Sequence, residues 1–499
     1  MPTDFKPEKT LKELGLVPTH GGNGADRTIT GICVDSRETR PGNLFAAMPG
    51  SEVHGGAFIQ YAIRMDAAAV LTDAAGLEIA LRDVGTLEIP FIVVDDPRMA
   101  LAKVAARYYG AQPATMTAVT GTNGKTSVAN FIRQIWESLG LDAVNFGTTG
   151  VEGAYSEALK HTTPEPITLH RLLRKLKDAG ISHAAMEASS HGLEQRRLDG
   201  VYLTVGGFTN FSQDHLDYHH TFDEYFAAKA GLFARVLPPE GSAVINTLDP
   251  KGAALVAIAQ ARGQDVITLG KDGADMQILN RRSDATGQDL RFSWRDEVHT
   301  VRLSLIGAFQ AENVLIAAGM AIAAGALPAD VFGALSGLET VPGRMQLAAT
   351  RASGANVFVD FAHTPDALET ALKALRGHVL GRLIVVFGAG GDRDRGKRPL
   401  MGRAAVENAD VVFLTDDNPR SEDPASIRAE VMAGCPKANQ IGDRATAILA
   451  AVDSLQAGDA LLIAGKGHET GQIIKDQILP FNDAEQASIS VAALDELGA

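Results

Sequence analysis

One syntax recurs along the chain and limits its fold more than any other feature. A short apolar run is followed by a loop of Gly, Asp, Ser or Asn, then by apolar residues at helical spacing. Examples are FIVVDDPR (91–98), MTAVTGTNGKTS (116–127), VFVDFAHTPD (357–366), LIVVFGAGGDRDRG (383–396) and LLIAGKGHE (461–469). Apolar runs of that length, bounded by turn residues and alternating with helices, are the buried strands of βα units. The expectation is an α/β chain whose domains each hold a largely parallel or mixed sheet flanked by helices. Ligands of such sheets bind beyond the carboxyl ends of the strands, where these polar loops fall. At 499 residues the chain is too long for one core. Joints at Gly110-Ala111-Gln112-Pro113 and Thr340-Val341-Pro342-Gly343 divide it into expected domains 1–112, 113–341 and 342–499.

The bulk numbers exclude several classes. A net charge of −14 argues against a general binder of nucleic acid or anionic membranes. Cys33 and Cys435 stand far apart, which excludes a disulfide framework or a cysteine metal cluster. The opening residues MPTDFKPEKTLKEL lack the apolar core of a signal peptide. The longest apolar stretch, 314–327, is rich in Ala and Gly and too short to span a bilayer, so it reads as a buried helix. The expectation is a cytoplasmic monomer with no membrane insertion.

Gly121, Thr122, Asn123, Gly124, Lys125, Thr126 and Ser127 follow the apolar run at 117–119. Behind them Val128, Phe131, Ile132, Ile135, Trp136 and Leu139 keep helical spacing, and Gly140 can end the helix. A glycine loop between strand and helix turns backbone N–H groups toward a phosphate, reinforced by the helix N-terminus. In this reading the nucleotide is ATP, Lys125 reaches its terminal phosphates and the Thr126 hydroxyl is a ligand for Mg²⁺. The usual spacing would put glycine at 119, where this chain has valine, so the motif is a shortened form.

Lys229 poses a different problem. It lies on the helical face of Phe222, Tyr225, Phe226 and Phe233. Either its stem packs while the ammonium escapes to water, or the amine is desolvated and loses its proton. A neutral amine can take up carbon dioxide as a carbamate, an anionic oxygen ligand for magnesium. Glu187 and the segment Asp214-His215-Leu216-Asp217 offer further ligands. Carboxylates beside a phosphate suit a hard cation, whereas zinc lacks thiolates or an H-E-x-x-H helix here.

Taken together, these motifs resemble the Mur ligases, ATP-dependent amide-forming enzymes of peptidoglycan precursor synthesis. The resemblance runs over nearly the whole chain through GTNGKT, MEASSHGLEQRR, TNFSQDHLDYH, YFAAKAGLF, GAFQAENVLIA, PGRMQ, FVDFAHTPDAL, GGDRDRGKRP, DDNPR and GKGHE. It implies an amino-terminal UDP-binding domain, a central P-loop ATPase and a Rossmann-like carboxyl-terminal domain that receives the amino acid. Val34, Ser36 and Ser51 would meet the nucleotide sugar of UDP-N-acetylmuramoyl-L-alanyl-D-glutamate. Thr162, Thr163, Ser189, Gln195 and Arg197 would hold its muramoyl-dipeptide. His161 stands where family members often carry asparagine. Glu187 and His215 would ligate magnesium, Lys229 would be the carbamylated lysine, and Asn313, Arg344, Asp360 and His363 would complete the nucleotide site. The catalytic set is then Lys125, Lys229, His215 and Arg344.

TDDNPRSEDP (415–424) sets the last expectation. It ends an apolar run with Asp416 and Asp417 and then places Arg420 behind Pro419. An arginine offers a planar fork for a carboxylate, whereas beside lysine it would set a cation against an ammonium. The resemblance therefore implies meso-diaminopimelate as the added residue. Arg420 would hold its distal carboxylate, and Asp417 and Asn418 its ammonium. Arg393, Gly465 and Glu469 would orient the remaining polar groups. Two rivals are folylpolyglutamate synthase, which would lack the DSR-containing domain and DDNPR, and a P-loop switch, which would turn over ATP without these substrates.

Overall fold

The structure is a computed structural model that describes residues 7–22, 24–50, 52–148, 150–159, 161–212, 216–219 and 221–497. The chain divides into two compact units, Met1–Leu269 with Ile316–Val331, and Gly270–Leu315 with Phe332–Ala499.

Among the described residues the first unit holds a small antiparallel pair, Lys9–Thr10 with Thr28–Ile29, and two larger, mainly parallel arrays. Gly31–Cys33, Asn43–Ala46, Ala69–Thr72 and Phe91–Val93 form a four-stranded parallel sheet in that order. The helix Pro97–Tyr109 that follows is started by the Asp96 side chain and a first-turn proline. Gly110 ends it in the left-handed conformation, φ 70°. Beyond Gly110, Thr115–Thr120 lies between His183–Glu187 and Val205–Phe208, parallel to both. Ala143–Gly147 flanks His183–Glu187, while Ser242–Asn246 and Asp265–Gly270 continue the other side. Strand order reverses at the centre of this sheet, so the loop after Thr120 opens into the crevice such reversals create. The helix after it runs from Lys125 to Ser138 with Leu139 as its cap, and Gly140, expected to end it, turns just beyond at φ 76°.

The second unit carries an antiparallel meander, Met276–Asp284, Gly287–Trp294 and Glu297–Leu303. Its main sheet has the order Gln346–Thr350, Asn356–Asp360, Ala460–Ala464, Leu383–Phe387, Val411–Leu414, Asn439–Gln440. Only the first pair is antiparallel. LIVVF at 383–387 is apolar throughout because both faces are covered. Leu383, Val385 and Phe387 enter one core, Ile384 and Val386 the other. A hairpin, Gly471–Ile474 with Gln477–Pro480, follows the strand that ends at Ala464.

Candidate active site

Two glycines shape the phosphate loop. Gly121 has φ 149°, and an added Cβ would lie 1.9 Å from Thr209 Oγ1. Gly124 at φ 85° opens the helix in a left-handed conformation that side chains resist. The segment that follows the adjacent strand Val205–Phe208 holds the loop. Thr122 N donates to Asn210 O (2.8 Å), Asn123 N to Asn210 Oδ1 (2.9 Å), and Thr209 Oγ1 to Asn123 O (2.6 Å). The backbone donors of Thr122 and Asn123 are therefore engaged within the protein. Those of Thr126 and Ser127 precede the helix's bond from Val128 N to Gly124 O (2.9 Å), where helices hold anions. Lys125 folds over the loop, donating from Nζ to the carbonyls of Gly121 (2.9 Å) and Thr122 (2.7 Å).

Glu187 ends the adjacent strand, almost wholly buried. Its Oε1 accepts from Thr126 Oγ1 (2.8 Å) and Thr148 N (3.1 Å). Gly147 makes room, since a Cβ there would fall 2.4 Å from that oxygen. Lys229 is only 1% exposed. Its Nζ donates to Gly121 O (2.6 Å) and lies 4.5 Å from the centre of the Tyr225 ring. The ammonium does not snorkel; it ends inside, against the phosphate loop. Its helix, Phe222–Gly231, starts with a reciprocal cap between Thr221 and Glu224 and passes into a wider turn at Leu232–Val236. The expected apolar face holds for Tyr225 and Phe233. Phe222 is 40% exposed because it lies at the helix start, edged against Phe211.

Oxygen donors at Thr126 and Glu187 fit a hard cation such as magnesium better than zinc. Among the described residues no three His, Cys, Asp or Glu side chains converge on a metal position. His215 and Ser51, both expected at the site, lie outside the described residues.

A polar chain runs outward from Glu187. Thr163 Oγ1 donates to Glu187 O (2.8 Å) and lies 3.1 Å from Ser189 Oγ, and Ser189 caps the helix Ser190–Glu194. Arg197 donates to Thr163 O (2.6 Å) and to Gln195 Oε1 (2.7 Å). Gln195 Nε2 in turn donates to the Tyr218 hydroxyl (3.0 Å). Thr162 and Thr148 hydroxyls lie 3.3 Å apart, whereas His161 is exposed. The sequence-chosen residues 162, 163, 189, 195 and 197 thus form one network. In the amino-terminal sheet Val34 is exposed and Ser36 buried just past the strand Gly31–Cys33.

In the second unit Asn313 is buried, its Nδ2 donating to Gln310 Oε1 (3.1 Å). Asp360 accepts from Met345 N (2.7 Å) and Ala362 N (2.9 Å). Burial pushes its carboxyl above the ordinary range, against the pull of Arg344. The Arg344 guanidinium lies 4.8 Å from the centre of the Phe361 ring. His363, exposed at the surface, is bonded to Phe361 O (2.8 Å). Thr364, which follows, caps the helix Pro365–Arg376.

Three strand-end loops meet around DDNPR. Gly391 N donates to Asn418 O (2.9 Å), and Asn418 Nδ2 donates to Glu469 Oε2 (2.8 Å). Gly465, at φ 119°, lets Asp417 approach: a Cβ there would meet Asp417 Oδ2 at 2.4 Å. The two acids of the motif do not face Arg420. Asp416 pairs with Arg428, and Asp417 lies over Gly465. Arg420 itself has φ 51°, and its Nη1 donates to Gly391 O (2.8 Å). The hairpin fixes that backbone, through Arg420 N to Ile473 O (3.1 Å) and Lys475 N to Arg420 O (2.7 Å). Pro419 precedes it; Arg393 is exposed.

Sequence reasoning passed over several participants. Asn210 and Lys466 stood inside quoted motifs, TNFSQDHLDYH and GKGHE, without being chosen. The fully buried pair Arg444–Asp483 (2.7 Å) gave no signal, since an arginine opening a helix reads as surface. It links the strand ends, donating to Ala464 O (3.0 Å) and Asp416 O (3.3 Å).

Comparison with known proteins adds three matches to one family. The profile described as Mur ligase family, catalytic domain, matches residues 28–109. The Mur ligase middle domain matches 119–321, and the Mur ligase glutamate ligase domain matches 343–467. A protein of Mesorhizobium japonicum named UDP-N-acetylmuramoyl-L-alanyl-D-glutamate–2,6-diaminopimelate ligase is 49% identical over 98% of this chain and 100% of its own. One of the same name from Bradyrhizobium diazoefficiens is 49% identical over 93% and 95%. A solved structure with that name superposes with a TM-score of 0.74 at 32% identity, covering 98% of this chain and 99% of the other.

Proposed function

Because the chain belongs to the Mur ligase family, we infer that it joins meso-diaminopimelate to UDP-N-acetylmuramoyl-L-alanyl-D-glutamate at the expense of ATP, in peptidoglycan precursor synthesis. The observation that carries the reading is likeness to diaminopimelate ligases over both full lengths. It also weighs against folylpolyglutamate synthase, because the amino-terminal residues 28–109 belong to the match.

The chemistry follows from the substrates. A carboxylate oxygen of the D-glutamyl residue attacks the γ-phosphorus of ATP, ADP leaves, and an acyl phosphate remains. The amine of diaminopimelate attacks the acyl carbon; phosphate leaves, a proton is lost and the amide forms. Magnesium, when bound, neutralises charge on the phosphoryl oxygens. Thr126 and Glu187 would hold it, with His215 and a carbamate on Lys229 as the other proposed ligands. Lys125, turned from the loop carbonyls toward phosphate, would stabilise the transferring group. Thr162, Thr163, Ser189, Gln195 and Arg197 would orient the dipeptide, and Val34, Ser36 and Ser51 the UDP. For Asn313, Arg344, Asp360 and His363 the proposal is contact with the nucleotide. Arg393, Asp417, Asn418, Pro419, Arg420, Gly465 and Glu469 would bind diaminopimelate. The domain limits 1–112, 113–341 and 342–499 belong to the same proposal.

Among the described residues no helix is long and apolar enough to cross a membrane. We place the enzyme in the cytoplasm, acting as a monomer, because ATP and UDP-linked precursors are available there. ADP release measured with each substrate omitted in turn tests the activity. Turnover should require both the UDP-dipeptide and meso-diaminopimelate; turnover on ATP alone would favour the switch, and preference for L-lysine would overturn the amino-acid assignment. Lys229→Ala should lose most activity and regain part with short carboxylic acids. An unmodified Lys229 in active, bicarbonate-supplied enzyme would remove the carbamate.

A further inference from the structure

GKGHE contains a cation that the proposed contacts leave out. Lys466 is 0% exposed, between Gly465 and Gly467, whose left-handed φ values of 119° and 54° let the backbone turn sharply on either side of it. Its Nζ donates to Asn418 Oδ1 (3.0 Å) and to Glu469 Oε2 (2.9 Å). Asn418 Oδ1 also accepts from Ile473 N (2.9 Å), and Asn418 Nδ2 donates to the same Glu469 oxygen (2.8 Å). Two side chains, Asn418 and Glu469, therefore hold the ammonium, and the hairpin's Ile473 N–H shares the Asn418 oxygen with it.

Each bond removes a choice. With two donors on Oδ1, the Asn418 amide has one orientation, since the flipped form would set its NH₂ against two N–H groups. With two donors on Oε2, the Glu469 carboxylate is held by one oxygen, and Oε1 is left for a ligand on a side chain still 34% exposed. A buried lysine is costly unless paired and hydrogen-bonded, and here it is both. An apolar side chain in its place would leave Asn418 and Glu469 each one donor short, with Glu469 stripped of its nearest cation.

We propose that Lys466 is a positioning residue for amino-acid selection, which sets Asn418 and Glu469 in the orientation that reads the charged groups of diaminopimelate. This rests on the ligase reading above. It acts through its two neighbours rather than on the reacting atoms, so its loss should fall on recognition of one substrate.

The test is steady-state kinetics of the full-length enzyme with Lys466→Met and Lys466→Gln, using meso- and LL-diaminopimelate. In Lys466→Met, KM for meso-diaminopimelate should rise roughly tenfold or more, the loss of about one charge-assisted hydrogen bond. KM for ATP and for the UDP-dipeptide should stay within about twofold, the scale of changes that carry little free energy. Preference for the meso over the LL isomer should fall, and Lys466→Gln, which keeps a donor, should recover part of it. Combining Lys466→Met with Glu469→Gln should give less than the product of the single effects. Equal rises in all three KM values, an unchanged KM for meso-diaminopimelate, or multiplicative effects in the double variant would overturn the proposal. If Lys466→Met does not fold, Lys466→Gln decides by the same readings. Wild-type enzyme that ignores diaminopimelate would defeat the ligase reading instead, before any variant is compared.

Discussion

The phosphate loop and the DDNPR pocket solve opposite problems. The loop at 121–127 is one contiguous stretch whose work is done by backbone shape, with two left-handed glycines and a helix start. The pocket draws on separate segments, near 390, 417–420, 465–469 and 473, and depends on side-chain charge held in place by burial. A phosphate is the same in every nucleotide enzyme, so local geometry suffices for it. An amino acid must be told from its near relatives, and that takes fixed charges of both signs.

The difference predicts where substitutions hurt. The largest effect should come from Lys125→Ala, which removes the loop's own cation. Ligation should fall by about a thousandfold or more, as with other phosphoryl-transfer cations, while the UDP-dipeptide still binds in calorimetry. Equal loss of binding and turnover would mean that the loop also builds the UDP site.

Arg420→Ala should spare ATP and the UDP-dipeptide but cost on the order of a hundredfold in kcat/KM for meso-diaminopimelate, as expected for one desolvated charge contact. Unchanged use of diaminopimelate would refute the fork assignment. The two glycines sharpen the contrast further. In Gly121→Ala the new methyl meets Thr209 and the adjoining Asn210 backbone, so nucleotide binding should collapse. In Gly465→Ala it meets chiefly the end of the Asp417 side chain, which can swing aside at the cost of the pocket. KM for diaminopimelate should rise roughly tenfold there, with nucleotide binding preserved.

A separate effect lies outside both sites and should distinguish stability from function. Burial lowers the pKa of His170 to about 4, and among the described residues its Nε2 has no hydrogen-bond partner. The folded state thus favours the neutral ring. Above the ordinary value of 6.5 that preference costs nothing; as pH falls from there toward 4, the unfolded chain takes up a proton that the folded chain refuses. Stability should drop by up to about 3 kcal/mol over that window. Thermal melts of wild type and His170→Gln should converge or cross on acidification; parallel curves would exclude this origin.

Legibility followed the same division. The phosphate loop could be read because strand, glycines, lysine and helix are neighbours in sequence, and each has a local physical signature. The amino-acid pocket came only through resemblance to a family, and nothing in the order of DDNPR says how its two acids are disposed about Arg420. Those acids turn to Arg428 and over Gly465, since Arg420 lies at φ 51° and is tied to the hairpin at 473–475. Lys466 was passed over because nothing in five letters says that a glycine-flanked lysine points inward.

What the chain's sequence determined alone was the order of strands, polar loops and helices, along with the glycines free to bend left-handed. Those depend on apolar periodicity and turn chemistry among residues a few positions apart. Only tertiary structure decided that Glu187, 61 residues beyond Thr126, accepts its hydroxyl, and that Lys229 ends buried on Gly121 O, 108 residues away. The reason is desolvation: whether a charged group faces water or another charge is set by whatever packs around it, and those neighbours are brought from distant parts of the chain by the sheet order.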